Sequence, residues 1–185
     1  NNKGADSALR SLLNQEHQRI GIVGVNIGKN KDTLEALEDY LPLLHLSYEL
    51  ADYITVNISS PNTQGLRDLQ SEAAFRDFIK AIMRERNAIA AYKGFRRPVL
   101  VKIAPDMEKG ALETLLDTVI EYRVDGLILT NTTIARPSHL RSKHKCEAGG
   151  LSGRPLTQAS HEMLQQAYRY THGKLPLIGV GGMQH

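Results

Sequence analysis

The sequence predicts an α/β fold in which parallel strands alternate with helices and close as a (β/α) barrel. Three observations carry that prediction. Short β-branched runs alternate with longer segments of helical period. The apolar residues of the short runs are continuous rather than alternating, the pattern of strands buried on both faces. Polar residues or glycine close every run at its C-terminal end, namely Asn26, Asn57, Lys102, Thr130 with Asn131, and Gly182. A barrel gathers those ends onto one face. An open sheet also fits the alternation, but it would spread them over about 20 Å, at about 4.8 Å per strand. One ligand served by every strand end favours the barrel.

The first strand is expected at Ile20 to Asn26, followed by a helix over Thr33 to Leu50 that turns Leu34, Leu37, Leu41 and Leu44, less regularly Leu46 and Leu50, to one side. The second strand, Tyr53 to Ile58, leads to a helix over Glu72 to Ala91 with Phe75, Phe78, Ile79, Ile82 and Met83 on its apolar face. The third, Val99 to Ile103, precedes a helix over Glu108 to Tyr122, whose acidic start suits the positive end of the helix dipole. The fourth, Gly126 to Thr130, precedes a long loop and then a helix over Thr157 to Thr171, set between Pro155 and a capping Gly173. The fifth is Leu175 to Val180. A complete (β/α)8 barrel has eight strands and about 250 residues. The 185 residues here supply five, so three strands are expected to be missing, and a chain without an initiator Met fits a fragment.

Bulk composition narrows the function. Hydrophobic residues at 41% and charged residues at 23% are the balance of a soluble globular protein. A formal charge of +3, evenly spread, with 5% aromatics, argues against a nucleic-acid partner. The single cysteine, Cys146, rules out an intrachain disulfide framework. No window approaches the roughly 18 apolar residues of a membrane span, and no secretory signal is legible. The seven histidines show no metal-ligand spacing, so no metal is expected.

The chemistry sits where the strands end. In Val56-Asn57-Ile58-Ser59-Ser60-Pro61-Asn62-Thr63, two amides bracket a serine pair, and Pro61 stops the strand. Amides offer donor and acceptor together, which suits a ring with carbonyl and N–H groups, and a serine held there can take a proton if activated. Alone, the same string is a polar turn with Asx-type bonds. Asn131-Thr132-Thr133 repeats the theme. Both strings also match the glycosylation acceptor pattern, discounted because they lie at the mouths of buried strands. Lys102, inside an apolar strand, needs either a structural ion pair or an anionic cofactor. Gly149-Gly150-Leu151-Ser152-Gly153-Arg154-Pro155 and Gly179-Val180-Gly181-Gly182 can hold a phosphate or a flavin edge with backbone N–H groups. Neither is a Walker or Rossmann motif, since Gly28-Lys29 lacks the flanking residues and Gln184 stands where a third glycine would fall. The basic loop of Arg136, Arg141, Lys143 and Lys145 reads as solvated.

Together the strings resemble the dihydroorotate dehydrogenase family. Those that carry the resemblance are Val25-Asn26-Ile27-Gly28-Lys29-Asn30-Lys31, Asn57 to Thr63, Val101-Lys102-Ile103-Ala104-Pro105-Asp106, Thr130 to Thr133, Gly149 to Leu156, and Ile178 to Gly182. The resemblance implies a TIM barrel with FMN at its C-terminal face, contacted by Asn26, Asn57, Lys102, Thr130, Gly153 and Gly182. It implies that Asn57, Asn62, Asn131 and Thr132 bind dihydroorotate. Ser60 falls where the family has its catalytic base, taking a proton from C5 while hydride leaves C6 for the flavin, and Thr63 passes the proton on. Soluble members use cysteine as the base, so Ser60 implies the membrane-associated, quinone-dependent subclass, with a bacterial cytoplasmic membrane favoured over the mitochondrial inner membrane. By the family pattern the strands are the third to seventh of the barrel, and residues 1–185 lack its first two strands, its last strand and the N-terminal quinone-tunnel helices. Two other readings stand beside this one: an inactive fragment, and another FMN barrel such as a tRNA-dihydrouridine synthase, which would need an active-face cysteine and a basic surface.

Overall fold

The computed structural model describes residues 3–15, 19–63, 65–107, 109–138 and 140–182. In chain order its elements are α1 (Ala5–Gln15), β1 (Gly24–Ile27), α2 (Ala36–Ser47), β2 (Tyr53–Asn57), a 3₁₀ turn (Leu66–Gln70), α3 (Glu72–Lys93), β3 (Val99–Ile103), α4 (Lys109–Glu121), β4 (Gly126–Leu129), a 3₁₀ turn (Arg154–Leu156), α5 (Thr157–Tyr170) and β5 (Leu177–Gly179). The strands form one sheet in the order β1-β2-β3-β4-β5, every pair parallel. An open doubly wound sheet reverses its strand order at a switch point. A sheet that adds each strand beside the last, always through a helix, is the barrel pattern.

The two sheet faces differ. Ile54, Val56, Val99, Val101, Ile103, Leu127 and Leu129 are fully buried in the core with Leu44, Phe75, Phe78, Ile79, Ile82, Leu115, Leu116 and Val119 from the helices. On the opposite face the register aligns Asn57 with Lys102, Lys102 with Ile128, and Ile128 with Ile178. That face carries Asn57, Lys102 and the polar strand ends.

Burial on both faces holds for β2, β3 and β4 but not for β1 and β5. Each of these two edge strands has a sheet neighbour on one side only. The first strand also starts later than its β-branched run suggests. Ile20 and Ile22 are 99% and 81% exposed, because the ladder begins where Gly24 meets Tyr53. Just before it, the Asp52 carboxylate accepts the Val23 N–H at 2.7 Å.

The leucine stripe of α2 shifts as well. Leu34 and Leu46 are exposed, while Tyr40, Leu44 and Ser47 are buried. Leu34 lies before the helix, so its helical spacing has no consequence. In α3 all five expected apolar residues are buried. The acidic start expected for α4 falls on Glu108, outside the described residues. Nearby Asp106 instead accepts hydrogen bonds from Arg67, Thr133 and Ile134. After α5 the backbone turns left-handed at Gly173, with φ +68°, and Gly173 N–H reaches Tyr168 O at 2.9 Å. The continuous apolar runs do not reveal α1 as a separate helix, since its sequence is mostly polar. No helix among the described residues is long and apolar enough to cross a membrane.

Candidate functional site

The polar strand ends meet on one rim. β2 stops because Pro61 follows shortly after Asn57, and the turn that begins there carries Ser59, Ser60, Asn62 and Thr63. From behind, the Tyr40 hydroxyl donates to Asn57 O at 2.6 Å and fixes the strand end. Burial pushes the Tyr40 phenol well above its ordinary range, so it stays a neutral donor.

Two clusters form. In the first, the fully buried Ser59 lies between Asn57 and Asn131. Its Oγ is 2.6 Å from Asn57 Oδ1 and 3.0 Å from Asn131 Nδ2. Asn131 Oδ1 accepts the Thr132 N–H at 2.8 Å. Ser60, half-buried and next in sequence to Ser59, accepts the Asn62 N–H on its Oγ at 3.2 Å. The Gly149-Gly150 turn closes over the group. A Cβ on Gly150 would sit 1.8 Å from Thr132 Oγ1 and 3.2 Å from Pro61 Cγ, and one on Gly149 would meet Asn62 Oδ1 at 3.6 Å. Thus Ser60, Asn62, Asn131 and Thr132 share one neighbourhood. Among the described residues no side-chain hydrogen bond ties Thr63 into it.

In the second cluster, α5 meets the end of β5. Thr157 Oγ1 donates to Gly182 O at 2.7 Å and Ser160 Oγ to Val180 O at 2.8 Å. Gly182 has φ +64°, and a Cβ there would lie 2.3 Å from Thr157 Oγ1 and 2.8 Å from Gly153 O. Gly153 and Gly182, distant in sequence, are therefore neighbours. The buried Thr130 adjoins both clusters, its N–H bonded to Val180 O at 2.8 Å and its hydroxyl to Asn131 O at 2.9 Å.

Lys102 lies beside Asn57 in register, half-buried. Among the described residues it makes no ion pair. Asn26 lies on β1, exposed and in register with Thr55, and among the described residues its side chain makes no hydrogen bond to either cluster. It lines a recess of about 670 Å³ between α1, β1 and α2.

Motif reading missed three residues. Ser59 looks like part of a polar turn, yet it joins the two amides. Arg67 donates to Ser59 O at 3.1 Å, Thr132 O at 2.8 Å and Asp106 Oδ2 at 2.7 Å, tying three strand-end loops together. Gln70 bridges Ile58 O and Ala104 N–H, both at 3.1 Å. A charged residue just after a Gly-Leu turn was the available signal for Arg67. The basic loop is only partly a solvated one: Arg136 bonds Glu147 O and Gly149 O, both at 2.8 Å, and so holds the Gly149-Gly150 turn in place. Cys146 is exposed there. Among the described residues no group of three His, Cys, Asp or Glu is arranged to hold a metal. His45, His144, His161 and His172 are exposed, and His17, His139 and His185 lie outside the described residues, as does Gln184.

Comparison with known proteins bears on the whole chain. The family model described as dihydroorotate dehydrogenase matches residues 1–185. A dihydroorotate dehydrogenase (quinone) of Halorhodospira halophila is 45% identical over an alignment of 185 positions that covers 99% of this chain and 54% of the relative. One of Azorhizobium caulinodans is 48% identical over 163 residues, 88% of this chain and 46% of the relative. The crystal structure of an Eimeria tenella DHODH in complex with ferulenol superposes with a TM-score of 0.90 at 38% identity, covering 100% of this chain and 55% of the other. The chain spans about half the length of the curated relatives it matches.

Proposed function

The chain belongs to the dihydroorotate dehydrogenase family, and from that premise we propose that it carries the central site of a quinone-dependent enzyme oxidising (S)-dihydroorotate to orotate in pyrimidine synthesis. The observation that carries the proposal is the hydrogen-bonded series Asn57, Ser59, Asn131 and Thr132 at the strand ends, with Ser60 next to Ser59 in the same turn. On this reading the five strands are the third to seventh of an eight-stranded barrel.

The residues fit a flavin. Gly182 packs its backbone against the Gly153 carbonyl and Thr157 with no room for a Cβ, Gly153 faces open space, and Lys102 offers a cation with no ion pair of its own among the described residues. Asn26, Asn57, Lys102, Thr130, Gly153 and Gly182 would hold FMN, with the ammonium beside its electron-rich pyrimidine edge. Bound FMN supplies the two-electron acceptor for the hydride from C6.

The chain's own residues do the rest. Asn57, Asn62, Asn131 and Thr132 orient the substrate ring and carboxylate through hydrogen bonds. Ser60 takes the proton from C5, its Oγ being held in the turn by the Asn62 N–H. An ordinary hydroxyl is a weak base, so the proton must move on, and Thr63, three residues along the same turn, is the group proposed to receive it. A serine rather than a cysteine as base, with relatives named as quinone enzymes, supports quinone as the final oxidant and membrane association of the whole protein. A second reading has one observation in its favour: exposed β1 and β5 edges suit a piece that is catalytically silent by itself.

The test is spectroscopic. FMN is added, free flavin removed, and the visible spectrum recorded before and after anaerobic L-dihydroorotate. Retained yellow colour that bleaches, and fails to bleach in Ser60→Ala, supports the proposal. Loss of all flavin identifies the silent piece. Bound flavin indifferent to dihydroorotate sinks the substrate assignment and favours another FMN barrel.

A further inference from the structure

We infer that Ser59 is a positioning residue that sets the amide polarity of the site, so that Asn57 and Asn131 both present N–H donors to the ligand. The ligand's name rests on the function proposed above, whereas the polarity argument does not.

A serine hydroxyl has one proton to donate and lone pairs to accept with. Ser59 Oγ faces Asn57 Oδ1 at 2.6 Å and Asn131 Nδ2 at 3.0 Å. Asn57 Oδ1 also accepts the Ser59 N–H at 3.2 Å. Two donors of one residue thus converge on that oxygen. Turning the Asn57 amide over would set its NH2 against the Ser59 N–H, leaving a buried donor unsatisfied. Asn131 is held in the same way, because its Oδ1 takes the Thr132 N–H at 2.8 Å while its Nδ2 donates to Ser59. Turned over, it would put NH2 against N–H.

The result is a one-way relay from Asn131 to Ser59 to Asn57. The Ser59 proton goes to Asn57 because Asn131 occupies the hydroxyl as a donor. The Asn57 oxygen is then fully engaged and its Nδ2 has no other partner among the described residues, while Asn131 keeps one unshared amide proton. Asn57 is left with donors only, because both lone pairs of its oxygen are taken. Asn131 offers one N–H and keeps a second lone pair on Oδ1. The ligand edge facing Asn57 must therefore be an acceptor, a carbonyl or carboxylate oxygen, while the edge facing Asn131 needs an acceptor for its N–H and can carry a ring N–H beside it. Ser59, sealed from solvent, acts on the ligand only through these amides.

Nitrogen-15 spectra of the chain test the relay without any ligand. The side-chain NH2 signals of Asn57 and Asn131 are identified by their loss in Asn57→Ala and Asn131→Ala. Ser59→Ala should shift or broaden both pairs, and two unmoved pairs overturn the inference. Should Ser59→Ala lower the melting temperature sharply, Ser59→Cys, of similar volume but a weak donor, carries the same comparison. On the flavin-loaded chain, Ser59→Ala should weaken orotate binding about tenfold, the worth of roughly one lost hydrogen bond. The Ser59→Ala/Asn131→Ala double variant should lose less than the product of the two single losses, because one group acts through the other. Multiplying losses overturn the inference. If the unsubstituted chain binds no orotate, the ligand reading fails, and the amide signals alone decide the role of Ser59.

Discussion

Arg67 and Asp106 meet at 2.7 Å across the mouths of β2 and β3, and the same guanidinium reaches the carbonyls of Ser59 and Thr132. Three acceptors from three loops therefore depend on one planar group. Both side chains are mostly buried, at 20% and 17% exposure, so the pair is poorly screened.

Arg67→Ala should destabilise the chain by roughly 2 kcal/mol, from lost charge-assisted hydrogen bonds, and lower its melting temperature by about 6 °C. Dihydroorotate turnover should fall at least tenfold, because the segments bearing Ser60 and Thr132 lose their common anchor. Arg67→Lys restores a point charge for Asp106 but not the fork, so it should recover stability more than turnover. A melt and a turnover assay on both variants check this, and equal recovery of the two would contradict it.

At the opposite end of β4, Asp125 accepts the Val99 N–H and Arg86, each at 2.8 Å, and also Arg96. Arg86 is 2% exposed, and burial holds its guanidinium below its ordinary range. Asp125→Ala leaves that cation uncompensated and should cost about 3 to 5 kcal/mol. Adding Arg86→Met to the same variant removes the stranded charge and should recover a good part of the loss. Urea unfolding of both variants measures it. A double variant less stable than the single would show that Arg86 contributes through packing instead.

What was legible in the sequence follows from how local each signal is. β3 was legible to the residue because Val99 to Ile103 is an apolar run broken only by Lys102 and buried on both sides elsewhere. The gathering of polar strand ends on β2 to β5 was legible because barrel geometry places strand ends together whatever the loops do, and the roles given to those residues are the ones proposed above. Ile20 and Ile22 misled, since their β-branched side chains look like a strand while the ladder depends on a partner that local sequence does not reveal. Arg67 and Ser59 were illegible for a related reason. Their importance lies in partners far along the chain, the Thr132 carbonyl that accepts from Arg67 and the Asn131 amide that donates to Ser59, and single-residue types carry no trace of those distances.

Acid should loosen the β1 edge first. The Val23 N–H and the Arg19 guanidinium hold Asp52 below the usual carboxylate range. A depressed folded-state pKa contributes stability that is fully present above the unfolded value, about 3.9, and is lost as pH falls through the folded value. The melting temperature should therefore drop below about pH 4. Asp52→Asn, which has no charge to lose, should be less stable at neutral pH and show a shallower acid decline. An acid limb of equal steepness in both proteins would exclude Asp52 as its source.

Gly182→Ala tests the cradle between α5 and β5. At φ +64° an alanine is strained before any contact is counted, and its Cβ would lie 2.8 Å from the Gly153 carbonyl oxygen and from Thr157 Cα. Those neighbours are backbone, so relief requires moving either the Gly153 loop or the first turn of α5. The core of the sheet lies elsewhere, around β2 to β4, so the overall cost should stay at about 1 to 3 kcal/mol. Flavin retention should suffer far more, with affinity reduced at least tenfold, because both cradle walls shift together. Gly153→Ala, at φ +76° but with nothing within 4 Å of its Cβ, bears the strain without the collision and should retain more flavin than Gly182→Ala. Equal retention by the two variants would mean that backbone strain, and not the shape of the cradle, governs the site.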